Sequence, residues 1–217
     1  MRRWMVAWVA LTLGVLGVLG LTGSAQASPP VTKSNSTTAE AFWHAEQSTG
    51  PNSFTETTWY VGVFAGQDGS VEYSDLYLDV ESCKVDPSGN TNCNQISSEY
   101  GDSGSPGSFI SSFSMDLANL STASLDGTYM LQSYDASGNP VGSPESYRMV
   151  ATWTGNGPLF KSHQKFSFHQ KCVHFQATDK GKMRAADATG TLNGAPLGTT
   201  SDTFFGGDAS LQVDHYC

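Results

Sequence analysis

The sequence predicts an all-β protein, a single antiparallel β-sandwich or flattened barrel built from two internally duplicated β units. Three observations carry this reading. Aromatic and β-branched residues fall in short runs, such as residues 57–65 (TTWYVGVFA), rather than in helical periods. Residues 71–82 (VEYSDLYLDVES) alternate, with Leu76, Leu78 and Val80 pointing one way and Asp75, Tyr77, Asp79 and Glu81 the other. Gly, Asn, Asp and Pro punctuate the runs at the spacing of a sandwich or barrel. Only residues 112–125 have room for a single helical turn.

Arg2 and Arg3 precede an apolar run to about Leu21, and Ala25-Gln26-Ala27 has the small-x-small form that signal peptidase reads. The expected organisation is a signal peptide at 1–27, a polar leader at 28–40 and one β domain at 41–217. Cleavage after Ala27 predicts a secreted protein that holds no membrane segment afterwards; a retained run would be an anchor.

Cys83, Cys93, Cys172 and Cys217 are even in number, so an exported chain favours disulfides. Cys83 and Cys93 flank a turn containing Pro87-Ser88-Gly89-Asn90, which places a bridge across a hairpin and leaves Cys172 for Cys217. The cysteine spacing does not suggest a metal site.

Within the rest of the chain, strands are expected at 57–65 and 71–82, joined by a turn at 66–69. Residues 165–178 lead to a turn at Asp179-Lys180-Gly181-Lys182, and 183–192 return. The duplication rests on recurring pairs at similar offsets: Trp59 with Trp153, Cys83 and Gly101 with Cys172 and Gly190, and Ala123-Ser124-Leu125 with Ala209-Ser210-Leu211. Trp43, Trp59 and Trp153 are expected in the core.

The formal net charge is −9, which disfavours nucleic acid as a partner. Charge is also segregated. Residues 34–147 carry many acids and only Lys84 as a base, whereas 148–184 are basic with only Asp179 as an acid. Packing of the two regions against each other accounts for this pattern.

Three constellations carry chemical leads. The first is Gly101-Asp102-Ser103-Gly104, which resembles the nucleophile loop of trypsin-like serine proteases. That resemblance implies Ser103 as a nucleophile, but it covers six residues. His44, the histidine that precedes it, lacks the Ala-Ala-His-Cys context and stands too near in sequence. Ser103 is therefore read as part of a loop of small residues.

The second lead is the strand face Tyr73, Asp75, Tyr77, Asp79 and Glu81. Flat rings and carboxylates are what a sugar site uses, and two carboxylates can also hydrolyse a glycosidic bond. The third is a basic row including Lys161, His163, Lys165, His169 and Lys171, suited to an acidic polymer. A change of apolar phase between Phe168 and Val173 indicates a bulge or strand break near Gln170.

No P-loop, dinucleotide motif or EF-hand spacing occurs, so no cofactor is expected. The functional expectation is a secreted, non-enzymatic binding or cell-surface protein that recognises polysaccharide or cell-envelope material. The alternatives are a secreted hydrolase using a carboxylate pair or Ser103, and a disulfide-stapled protease inhibitor presenting 101–108 or 84–92.

Overall fold

A computed structural model describes residues 31–66, 70–170, 173–205 and 208–215. Ten strands follow in order: β1 (Val31–Gly50), β2 (Ser53–Gly66), β3 (Val71–Val85), β4 (Thr91–Asp102), β5 (Phe109–Met115), β6 (Thr122–Asp135), β7 (Pro140–Gln170), β8 (Val173–Leu192), β9 (Ala195–Phe205) and β10 (Asp208–His215). They form one antiparallel meander, ordered β10-β1-β2-β3-β4-β6-β7-β8-β9. Both β4 and β5 pair along β6, so they read as two halves of one strand interrupted by residues 103–108. Likewise β9 and β10 both run along β8, and β10 also pairs with β1. The meander thus folds over on itself as one large antiparallel sheet, the arrangement of a sandwich or flattened barrel. Among the described residues no helix is long and apolar enough to cross a membrane.

Local turn chemistry fixes the register. Asp86–Asn90 and Asp135–Asn139 share the sequence Asp-x-Ser-Gly-Asn and make the same turn. In each, the aspartate Oδ1 accepts backbone N–H bonds from the serine and the asparagine, at 2.8 and 2.9 Å in the first turn and 2.9 and 2.9 Å in the second. The glycine supplies the positive φ, 82° and 79° respectively. Asn193 and Gly194, at φ 50° and 80°, turn β8 into β9 as a two-residue hairpin.

Alternation decides what enters the core. Ala39, Ala41 and Trp43 of β1, Val61 and Val63 of β2, and Leu76 of β3 point inward and are buried. They meet Leu125, Tyr129 and Leu131 of β6, Met149, Ala151 and Trp153 of β7, and Ala186 and Ala188 of β8. Trp59 packs partly buried beside them, so all three tryptophans serve the core as expected. Two polar contacts span the interior between strands that are not neighbours. Trp153 Nε1–H donates to the Glu40 carbonyl at 2.9 Å, and the Ser74 and Tyr129 hydroxyls bond at 2.5 Å. Such bonds join the walls and satisfy groups that would otherwise be costly to bury.

Several expectations change. β1 begins at Val31, so the stretch read as a polar leader lies largely within the first strand, where Thr37 and Ala39 are buried. The turn expected at 179–182 is absent, because β8 runs through those residues without a break. The chain instead reverses between Gln170 and Val173, pairing His169 with His174, which explains the change of apolar phase. The repeat fails here too. Laying Cys83 on Cys172 carries the turn Asp86–Asn90 onto residues 175–179, which lie within β8. A motif of small residues matches easily, whereas strand length is set by which neighbour covers it. The single helical turn expected in 112–125 is present after β5, where Leu120 N–H donates to the Asp116 carbonyl four residues earlier at 2.8 Å.

The segregated charges do pack together in part. Arg148 forms a two-bond pair with Asp126, at 3.0 and 2.7 Å. Lys182 donates to the carbonyls of Leu117 and Ala118, and Arg184 to those of Asn119 and Gly157. The basic strand β8 thereby ties down the loop between β5 and β6.

Candidate functional site

The outer face of β1–β4 gathers the acidic and aromatic residues in rows across the strands. Cross-strand partners run Phe42, Tyr60, Tyr77, Tyr100 in one row and Glu40, Gly62, Asp75, Asp102 in the next. A third row contains Phe64 and Tyr73. Partners opposite each other point to the same face, so each row is a continuous strip. Phe42 and Tyr60 contact with ring centroids 4.7 Å apart, and Phe64 and Tyr73 at 5.9 Å.

Gly62 makes the middle of the acidic row possible. A Cβ there would collide with the Tyr60 hydroxyl and lie 2.7 Å from Asp75 Oδ1. Tyr60 and Asp75 therefore share the space that glycine leaves. Asp75 is half-buried, and its carboxyl is pushed up to about 6, first by loss of solvent and then by the neighbouring Glu40 charge. Burial also raises Glu40. Tyr60 is held protonated by burial, reinforced by Glu40 and Asp75.

Towards the end of β4 the phenols and a carboxylate form a chain. The Tyr73 and Tyr100 hydroxyls bond at 2.5 Å, and Tyr100 donates onward to Asp102 Oδ2 at 3.4 Å. Both phenols are raised, chiefly by burial. Asp102 Oδ1 accepts from Gly104 N–H at 2.8 Å and from the Ser105 hydroxyl at 3.1 Å. The Gly-Asp-Ser-Gly segment is thus a turn organised by its aspartate.

Ser103 has a structural position in that turn. Its N–H donates to the Ser74 carbonyl at 2.7 Å, and its Oγ accepts from Ser74 N–H at 3.0 Å. His44 lies on β1, where Nδ1 is 3.0 Å from Thr58 Oγ1 and 3.3 Å from Glu56 Oε1. It is not arranged to activate Ser103. Beside the turn, the space between β3 and β5 opens as a shallow cleft of about 630 Å³, bordered by Glu72, Tyr73, Ser103, Gly104, Ile110 and Phe113.

The strand face read from the sequence therefore holds together: Tyr73, Asp75, Tyr77, Asp79 and Glu81 all lie on the outer side of β3. Asp79 is engaged by Gln95, whose Nε2 donates to it at 2.8 Å. Glu81 faces Glu56 across β2, and burial, then the Asp79 and Glu56 charges, raise its carboxyl. Sequence reasoning missed Glu40, Phe42, Tyr60, Phe64, Tyr100 and Asp102 as members of the same face. The alternation of 39–44 and 60–64 contains the signal for the first four.

Lys161, His163 and Lys165 are exposed on β7, which is not a neighbour of β3. His169 lies near the end of the same strand, and Lys171 is outside the described residues. The basic row is thus a separate feature, on a hairpin whose β7 strand runs past its pairing with β6 at Thr154.

Cys83 and Cys93 are register partners and form the expected disulfide, with Cα atoms 4.1 Å apart. Cys172 and Cys217 are outside the described residues. Glu56 and Glu81 stand with Cys83 and Cys93 in a group whose four candidate ligand atoms lie within 4.8 Å of one another. A scan against protein-family models gives no match, and a search of curated proteins returns no similar sequence.

Proposed function

We propose that the chain is a secreted, non-enzymatic binding or cell-surface protein that recognises polysaccharide or cell-envelope material on the outer face of β1–β4. The observation that carries this reading is the aromatic row Phe42–Tyr60–Tyr77–Tyr100 lying beside the acidic row Glu40–Gly62–Asp75–Asp102. Rings offer flat apolar area, and adjoining carboxylates accept hydroxyl hydrogen bonds, the pairing that a sugar requires. The shallow cleft beside Tyr73 extends this face without enclosing it, as suits a polymer rather than a small buried ligand. The leader pattern and a disulfide are compatible with export. The reading requires no cofactor and no nucleic acid.

The test mixes the purified protein with a panel of insoluble polysaccharides and cell-wall preparations, and measures both protein depletion and sugar release. Depletion without release is expected. Tyr73→Ala with Tyr100→Ala should weaken it at least ~10-fold, the scale for losing central aromatic anchors. Absence of depletion on every material, or depletion indifferent to both substitutions, would refute the reading.

One observation favours a second reading, a glycoside hydrolase. Asp75, pushed up to about 6, sits opposite Asp102 as its cross-strand partner, which gives a protonatable acid beside a second carboxyl. Sugar release that Asp75→Asn abolishes would replace binding with hydrolysis.

A further inference from the structure

Below the aromatic rows, the outer face changes character. Glu56 of β2 and Glu81 of β3 are direct register partners, and Glu46 of β1 continues the row opposite Glu56. Like charges facing each other across strands repel, and this row has no lysine or arginine within it. The next row places Cys83 of β3 opposite Cys93 of β4. Glu81 and Cys83 are two residues apart on one strand, so they share a side. Glu56 Oε2 stands 4.0 Å from Cys83 Sγ, while its Oε1 turns to His44 at 3.3 Å. All four candidate ligand atoms fall within 4.8 Å of one another.

We propose that reducing the Cys83–Cys93 bridge converts this corner into a four-ligand site for a zinc-like divalent cation, held by two thiolates and the carboxylates of Glu56 and Glu81. Two sulfur and two oxygen donors suit the tetrahedral preference of zinc. The oxidised pair cannot serve, because a disulfide sulfur carries no thiolate charge. The cation would also neutralise the opposed glutamates. His44 would support Glu56 from behind, as outer partners do for metal-bound ligands.

The chemistry balances with a phosphine as reductant. The S–S bond accepts two electrons and two protons and becomes two thiols, while the phosphine takes oxygen from one water and leaves as its oxide. Zinc then displaces the two thiol protons, which pass to the buffer. Because the metal occupies the thiolates, it also opposes re-formation of the disulfide. This inference is independent of the binding proposal above.

The test uses the purified chain, reduced with phosphine, freed of reductant under argon, and titrated with zinc against a chromophoric chelator. Cobalt in a parallel titration reports thiolate ligation by its sulfur-to-metal charge-transfer band. The expected result is one zinc held tightly by the reduced chain, with the oxidised chain at least ~100-fold weaker, and a cobalt band that requires reduction. Cys83→Ser with Cys93→Ser leaves Cys172 and Cys217 in place and should lose both signals. Glu56→Gln with Glu81→Gln keeps every cysteine and should weaken zinc by ~10- to 100-fold or more. Circular dichroism checks that each variant is folded, and the glutamine pair decides the matter if the serine pair is not. Tight zinc binding in the serine pair, unchanged affinity in the glutamine pair, or equal binding by oxidised and reduced protein would each overturn the assignment.

Discussion

Asp75→Asn should make the protein more stable at neutral pH and remove part of its pH dependence. Asp75 sits half-buried between Gly62 and Asp102, and its carboxyl rises from an ordinary 3.8 to about 6. A raised carboxyl binds its proton more tightly in the folded chain than in the unfolded one. Its contribution is therefore fully present below about 3.8 and is lost as pH rises through about 6. At about 1.4 kcal/mol per tenfold, the interval is worth about 3 kcal/mol in a fully dry site. Solvent reaches a substantial part of Asp75, and screening reduces this to about 1–2 kcal/mol. Asparagine mimics the protonated form at every pH. Urea unfolding of both proteins at pH 4 and pH 7 should give similar stabilities at the lower pH, with the variant ahead by about 1–2 kcal/mol at the higher. Glu40 is raised in the same direction and remains in both chains, so the difference between the curves reports Asp75 together with its repulsion by Glu40. A variant that is less stable at pH 7, or a gap that does not change with pH, would refute the reasoning.

Ser103→Ala should fold and lose about 1 kcal/mol, because Ser74 N–H loses its side-chain acceptor. A fluorophosphonate should leave the native protein unlabelled, and labelling that vanishes in the alanine variant would restore Ser103 as a nucleophile. Gly101→Ala should cost at least ~3 kcal/mol, since its Cβ would be driven into the Met130 carbonyl, and a thermal melt unchanged from wild type would contradict that close approach of β4 to β6. Trp153→Phe should cost about 2–4 kcal/mol by leaving a void and depriving the Glu40 carbonyl of its donor, measurable by denaturant unfolding.

Much of the fold is legible locally. The alternation of 71–82 assigns Leu76 to the core and the five polar and aromatic residues to the outside, because successive strand side chains must point to opposite faces. The Cys83–Cys93 bridge is equally local, since the turn between them sets their register. The strand break near Gln170 is legible in the change of apolar phase, whereas the turn read at 179–182 is not formed. Asp179-Lys180-Gly181-Lys182 has turn composition, yet pairing with β7 and β10 keeps it extended.

By itself, then, the sequence determined the all-β class, the sidedness of β3, the hairpin bridge and the tryptophan core. Only the tertiary structure decided that Glu40, Gly62, Asp75 and Asp102 form one row, and that Asp102 of a protease-like word serves as a turn anchor and a phenol acceptor. The physical reason is that alternation tells a residue which face it occupies but not which residue lies beside it. That neighbour depends on the register of each successive pairing, and register is set jointly by turns, bulges and the burial of a core assembled from distant strands.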